Sequence, residues 1–142
     1  MKKYSVAVVG ATGAVGQEMI SILEERNFPI SKIKFIASSR SEGKLLSFRN
    51  ERIKVETIDK KTFNDIDIAL FSIGSSLSKK YALQAASSGA VVIDNSNAFR
   101  MAEGVPLIVP EINHSKINEH KGIIANPNCS TIQLLMAING IY

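Results

Sequence analysis

Cys129 is the single cysteine of this 142-residue chain, and it stands in the run Asn126-Pro127-Asn128-Cys129-Ser130-Thr131. Pro127 precedes it and a helical pattern follows, so the thiol sits where a helix begins. There the dipole and unpaired N–H groups stabilise a thiolate, and such a thiolate attacks carbonyl carbon. A lone cysteine is also often a small buried hydrophobe; the neighbouring residues decide between the two. Far upstream, Gly10-Ala11-Thr12-Gly13-Ala14-Val15-Gly16 follows the apolar run of residues 4–9 directly. This G-x-x-G-x-x-G spacing suits a loop that cradles a pyrophosphate at a helix N-terminus. Gly10 permits the tight turn, Gly13 lets the backbone approach the phosphates, and Gly16 lets helix and strand pack closely. Its alternative is a purely structural turn. A nucleotide loop and a nucleophile on one chain point to a reductase that holds its substrate as a thioester.

The residues between these two signals narrow the cofactor. A site for the unphosphorylated dinucleotide places an Asp or Glu near the end of the second strand. Here that region reads Ala37-Ser38-Ser39-Arg40-Ser41, with no carboxylate until Glu42. Arg40 can pair with a 2′-phosphate while Ser38 or Ser41 donates hydrogen bonds, which favours NADP; the alternative is a solvated polar loop. Ser72 and Gly74 end a further strand at the ligand-bearing sheet edge and add little bulk there. Asn95, after the next strand, can hydrogen-bond nicotinamide or its ribose. Ser, Asn and Gly also simply make turns. Arg100 offers a planar guanidinium to a phosphate or carboxylate, or is an ordinary surface arginine. His114 and His120 lie in a polar segment; either is a conceivable base for Cys129, and exposure is the commoner fate. No His, Cys or carboxylate spacing supports a metal site.

These residues need a scaffold, and the hydrophobic pattern supplies one. Residues 4–9 read as a strand buried on both faces. Residues 14–25 follow as an amphipathic helix ended by Asn27-Phe28-Pro29. Strands are expected at 33–37, 67–72, 91–94 and 122–125, and residues 45–58 hold two short strands or a hairpin. A helix at 77–87 closes at Gly89, residues 106–110 are extended, 112–119 are weakly helical, and 130–138 are helical. The alternation predicts an α/β, Rossmann-like fold: a mostly parallel sheet with helices on both faces. Hydrophobic residues make up 45% of the chain, and 17 Lys and Arg against 13 Asp and Glu give a mild +4. That excess helps attract phosphorylated anions but does not call for nucleic acid. No stretch approaches the length of a membrane span, the start is a strand rather than a signal peptide, and one cysteine suits a reducing compartment. A cytoplasmic protein with a small-molecule partner is expected.

The motifs, in order, resemble aspartate-semialdehyde dehydrogenase, specifically its N-terminal portion. The resemblance rests on residues 6–16, 37–44, 67–72, 74–76, Asp94-Asn95-Ser96-Asn97-Ala98-Phe99-Arg100, Val109-Pro110-Glu111-Ile112-Asn113 and Pro127-Asn128-Cys129-Ser130-Thr131. It implies NADP held by Gly10, Thr12, Gly13, Ala14, Val15 and Gly16, with Ser38, Arg40 and Ser41 around the 2′-phosphate. Ser72, Gly74 and Asn95 then line the nicotinamide side, Arg100 and Asn128 bind phosphate, and Cys129 is the nucleophile. The implied reaction converts L-aspartyl 4-phosphate to aspartate semialdehyde, a step toward lysine, threonine and methionine, in a homodimer or homotetramer. Residues 1–128 are expected to be the dinucleotide-binding domain. Residues 129–142 are expected to open a second, catalytic domain that the chain does not contain. The alternatives are a non-catalytic NADP-binding module and a fragment of a related acyl-phosphate or acyl-CoA reductase.

Overall fold

The computed structural model describes residues 2–141. Seven strands form one sheet: β1 (Tyr4–Val9), β2 (Ile30–Ile36), β3 (Leu45–Phe48), β4 (Glu51–Glu56), β5 (Ile68–Phe71), β6 (Val91–Asp94) and β7 (Ile123–Ala125). Their spatial order is β3-β4-β2-β1-β5-β6-β7. All neighbours are parallel except the β3–β4 pair. The helices are α1 (Ala14–Glu25), α2 (Ser75–Ser87), a single turn α3 (Pro110–Asn113) and α4 (Cys129–Ile138).

Helices do cover both faces, and the alternation along β1 shows how. Val6 and Val8 face the side where Ile20, Met19 and Leu23 of α1 pack with Phe35 and Val55. Ala7 and Val9 face the other side, with Phe71, Val92 and Ala82 and Ala85 of α2. The alanines bring α2 close to the sheet. Each large side chain buried in these layers contributes roughly 1.5–3 kcal/mol.

Two stretches differ from the sequence expectation. β2 starts at Ile30, not at residue 33. Ile30 pairs with Tyr4 but Lys32 pairs with Ser5, so Ser31 is an extra residue in the ladder. This irregularity leaves both Ser31 and Lys32 in solvent and breaks the apolar pattern although the pairing continues. Residues 45–58 resolve as a hairpin. Its two-residue turn, Arg49-Asn50, has φ of 48° and 67°, the pairing of positive φ values that matches strand twist. Arg49 fastens the hairpin to the rest: its N–H donates to Glu24 Oε1 at 2.7 Å and its guanidinium to the Phe28 carbonyl. The 112–119 segment is α3 followed by a 3-10 stretch, His114–Glu119. No residue of α4 is buried, and Leu134 is 61% exposed. Among the described residues no helix is long and apolar enough to cross a membrane.

Candidate functional site

The chain leaves β1 through α1 on one face and β5 through α2 on the other, so a crevice opens between them at the carboxyl ends of the strands. Both helices begin on a glycine N-cap with no side-chain cap: Gly13 for α1 and Gly74 for α2. Among the described residues no protein acceptor meets the N–H groups of Ala14, Val15 and Gly16, or of Ser75, Ser76 and Leu77. Six donors at two positive helix ends therefore lack a protein acceptor, and Gly13 and Leu77 at those ends line one cleft.

The glycines of the loop differ in what they are for. Gly10 has φ +91°, and a Cβ there would lie 2.9 Å from the Ser72 carbonyl carbon and nearer its oxygen. A Cβ on Gly16 would lie 2.8 Å from the Gly10 carbonyl carbon and 3.0 Å from Ala11 Cα. The fold itself needs both to be glycine. A Cβ on Gly13 would meet nothing nearer than the Gly10 oxygen at 3.4 Å, so Gly13 is bare towards open space. That space is a cavity of about 470 Å³ lined by Gly10, Thr12, Gly13, Ser38, Ser39 and Ser72. Its far wall is Ile36, Thr57, Ile58, Ile73, Leu77 and Tyr81, which the sequence reading did not single out. Leu77 and Tyr81 stand one helical turn apart, the one local signal of a shared face. Thr57 and Ile58 reach the cavity only through the β4 crossover.

Ser39–Ser41 forms a single 3-10 turn after Ser38. Ser38 and Ser39 line the cavity and Arg40 is exposed on the turn. Ser41 points inward instead: it is buried, and its hydroxyl accepts from Thr12 Oγ1 at 3.3 Å, tying this turn to the glycine loop. Below Ile58 the loop is locked by Asp59. The Thr62 hydroxyl and then the Lys61 N–H donate to its carboxylate, holding Asp59 below the usual carboxylate range. Gln84 on α2 donates to the Asp59 carbonyl at 2.7 Å.

On the other side of the cleft, Asp94 is fully buried at the end of β6. It accepts from Ser78 of α2 and from the Ser96 hydroxyl, each at 2.6 Å. A second bond joins Ser75 to Asn97. The turn carrying Asn95 and Arg100 is thereby fastened to α2. It is fastened equally to the segment before Cys129. Arg100 Nε donates to the Asn126 carbonyl at 3.0 Å, Nη2 donates to the Asn95 carbonyl at 3.1 Å, and Asn126 Nδ2 donates to Asn95 Oδ1 at 2.7 Å. Arg100 keeps three further N–H donors beyond these two. Asn128 caps α4: its Oδ1 accepts from the Ser130 N–H at 2.9 Å, which leaves its NH₂ group as the part it can offer to an anion. Cys129, the first residue of α4, is exposed. His120 Nδ1 accepts from the Gly122 N–H at 3.0 Å, a local turn contact, and His114 is exposed.

Known proteins share this fold. A family model described as semialdehyde dehydrogenase, NAD binding domain, matches residues 5–120. The aspartate-semialdehyde dehydrogenase of Aquifex aeolicus is 53% identical over 142 residues, covering 98% of this chain and 42% of that protein. The crystal structure of aspartate semialdehyde dehydrogenase II from Vibrio cholerae, complexed with ASA, matches with a TM-score of 0.96 at 47% identity, over 99% of this chain and 47% of the other. That of the Candida albicans enzyme with NADP matches with a TM-score of 0.75 at 25% identity, over 97% and 46%. The chain spans about two fifths of the length of the curated relatives it matches. The family model covers most of the sequence and the relatives match it nearly end to end, so this chain belongs to the semialdehyde dehydrogenase family and carries its NAD-binding domain.

Proposed function

We propose that this chain is the NADP-binding, nucleophile-bearing part of an aspartate-semialdehyde dehydrogenase. The observation that carries the reading is a cleft lined by Gly13 and Leu77 at the starts of two helices whose N-termini carry no side-chain cap. It leads to Ser38 and Ser39 on the cavity wall, followed on the same turn by the exposed Arg40, where a ribose-binding carboxylate would otherwise stand. The groups fit a dinucleotide. The uncapped end of α1 and bare Gly13 suit a pyrophosphate, and Arg40 suits a 2′-phosphate. The apolar wall of Ile58, Leu77 and Tyr81 suits a flat ring. NADPH, when bound, supplies a hydride for reduction of an acyl group. Gly74, Ser72 and Asn95 then bound its nicotinamide end.

Cys129 Sγ attacks the acyl phosphate carbonyl of L-aspartyl 4-phosphate. A C–S bond forms and inorganic phosphate leaves, held by the free donors of Arg100 and the Asn128 amide. Backbone N–H groups at the start of α4 face the oxyanion that forms. Residues 1–128 constitute the nucleotide domain and residues 129–142 begin the catalytic one; the wholly unburied α4 supports that division. Assembly as a homodimer or homotetramer and a cytoplasmic location are proposed for the whole protein.

Calorimetric titration of the chain tests the reading. NADPH is expected to bind at least ~10-fold more tightly than NADH, a difference of about 1.4 kcal/mol, and Arg40→Ala is expected to erase the preference. Equal affinity for both, or a preference untouched by Arg40→Ala, contradicts it.

A further inference from the structure

We propose that Glu42 is a specificity-determining residue that works against the 2′-phosphate and narrows the preference for NADPH over NADH, an inference that rests on the nucleotide reading above. Glu42 is exposed, but the structure fixes where it stands. Its own N–H donates to the Ser39 carbonyl at 3.2 Å. The next residue, Gly43, donates to the Val55 carbonyl at 2.9 Å, so the turn is pinned beside the end of β4. From there Glu42 Oε1 accepts from Thr57 Oγ1 at 3.4 Å. Thr57 lines the cavity together with Ser38 and Ser39. Among the described residues no cation lies within ion-pairing distance of Glu42.

The direction of that bond decides the chemistry. An ionised carboxylate only accepts, so in this long contact of 3.4 Å the Thr57 hydroxyl is the donor. While that contact holds, the Thr57 oxygen presents lone pairs to the cavity, and a phosphate that takes the hydroxyl proton has to compete with Glu42 for it. An adenosine with a free 2′-hydroxyl offers a donor to those lone pairs; a 2′-phosphate dianion offers acceptors only. The same rim therefore holds two opposed readers. Arg40 favours the phosphorylated ribose, and the Glu42–Thr57 pair, through both its lone pairs and its charge, favours the unphosphorylated one. The charge is solvated, so its effect is modest and weakens with salt.

The test is a titration of the parent chain, Glu42→Gln and Thr57→Val with NADPH and NADH, at low and at high ionic strength. Glutamine keeps the shape, removes the charge, and can donate to Thr57 and free its proton for a phosphate. Glu42→Gln is expected to tighten NADPH about three- to tenfold while NADH stays within about twofold, the gain shrinking at high salt. Thr57→Val is expected to weaken NADH more than NADPH. Equal changes for both cofactors, as a merely structural residue produces, or an unchanged or falling NADPH:NADH ratio in Glu42→Gln, overturn the proposal while leaving the nucleotide reading intact. A parent chain that binds neither cofactor overturns both.

Discussion

Gly16→Ala lowers the melting temperature of the chain by about 10 °C, whereas Gly13→Ala melts close to the parent and loses most of its NADPH affinity. The contrast follows from what each glycine faces. A methyl on Gly16 comes within 2.8 Å of the Gly10 carbonyl carbon and 3.0 Å of Ala11 Cα, all backbone. No rotamer relieves that clash, so α1 must move away from β1. Such overpacking costs about 3 kcal/mol, which at roughly 3 °C per kcal/mol for a chain of this size gives the fall stated. Gly13 has φ −80° and ψ 162°, a conformation open to any residue, and exchanging Gly for Ala at an N-cap costs up to about 1 kcal/mol. Its methyl enters the cleft and, in the proposed site, stands where phosphate approaches the N–H groups of α1. A clash of about 1–3 kcal/mol there weakens binding roughly 5- to 150-fold. Thermal melts by circular dichroism, paired with calorimetric titration, read both effects. Undiminished NADPH binding by Gly13→Ala contradicts the placement of the pyrophosphate.

Arg100→Lys is expected to fail twice, in stability and in anion binding. Arg100 spans the ends of β6 and β7, donating to the carbonyls of Asn95 and Asn126, while its remaining donors stay free for phosphate. A lysine ammonium is a point on a flexible stem and cannot hold both carbonyls and an anion at once. Loss of two charge-assisted bonds at a half-buried position costs about 2–4 kcal/mol, or a fall of about 6–12 °C. Inorganic phosphate is expected to raise the melting temperature of the parent chain through mass action and to leave Arg100→Lys unmoved. A variant that melts within about 2 °C of the parent and keeps the phosphate shift contradicts both roles.

These three residues also mark how far the chain was legible as a string of letters. β1, α1 and β6 fall where the apolar pattern and the glycines place them, because there local preference and tertiary burial agree. The start of β2 was not legible: the extra residue Ser31 breaks the periodicity while the main chain goes on pairing. The glycine loop, Ser38–Arg40 and Cys129 could be proposed from the letters because each motif is contiguous. The far wall of the cavity was not, since Thr57, Ile58 and Tyr81 meet only after two crossovers. Nor could spacing reveal that Ser41 turns inward to Thr12, or that Arg100 staples two strand ends. Both depend on which donors the fold leaves unpaired.

The most direct measurement is an amide-resolved NMR titration of the ¹⁵N-labelled chain with NADPH. The cleft predicts the largest shifts at Ala14, Val15 and Gly16 of α1 and at Ser75, Ser76 and Leu77 of α2, with Ser39, Arg40 and Thr57 following at the rim. Shifts confined to other surfaces, or saturating NADPH with the α1 amides unmoved, would contradict a cofactor site at the paired helix ends.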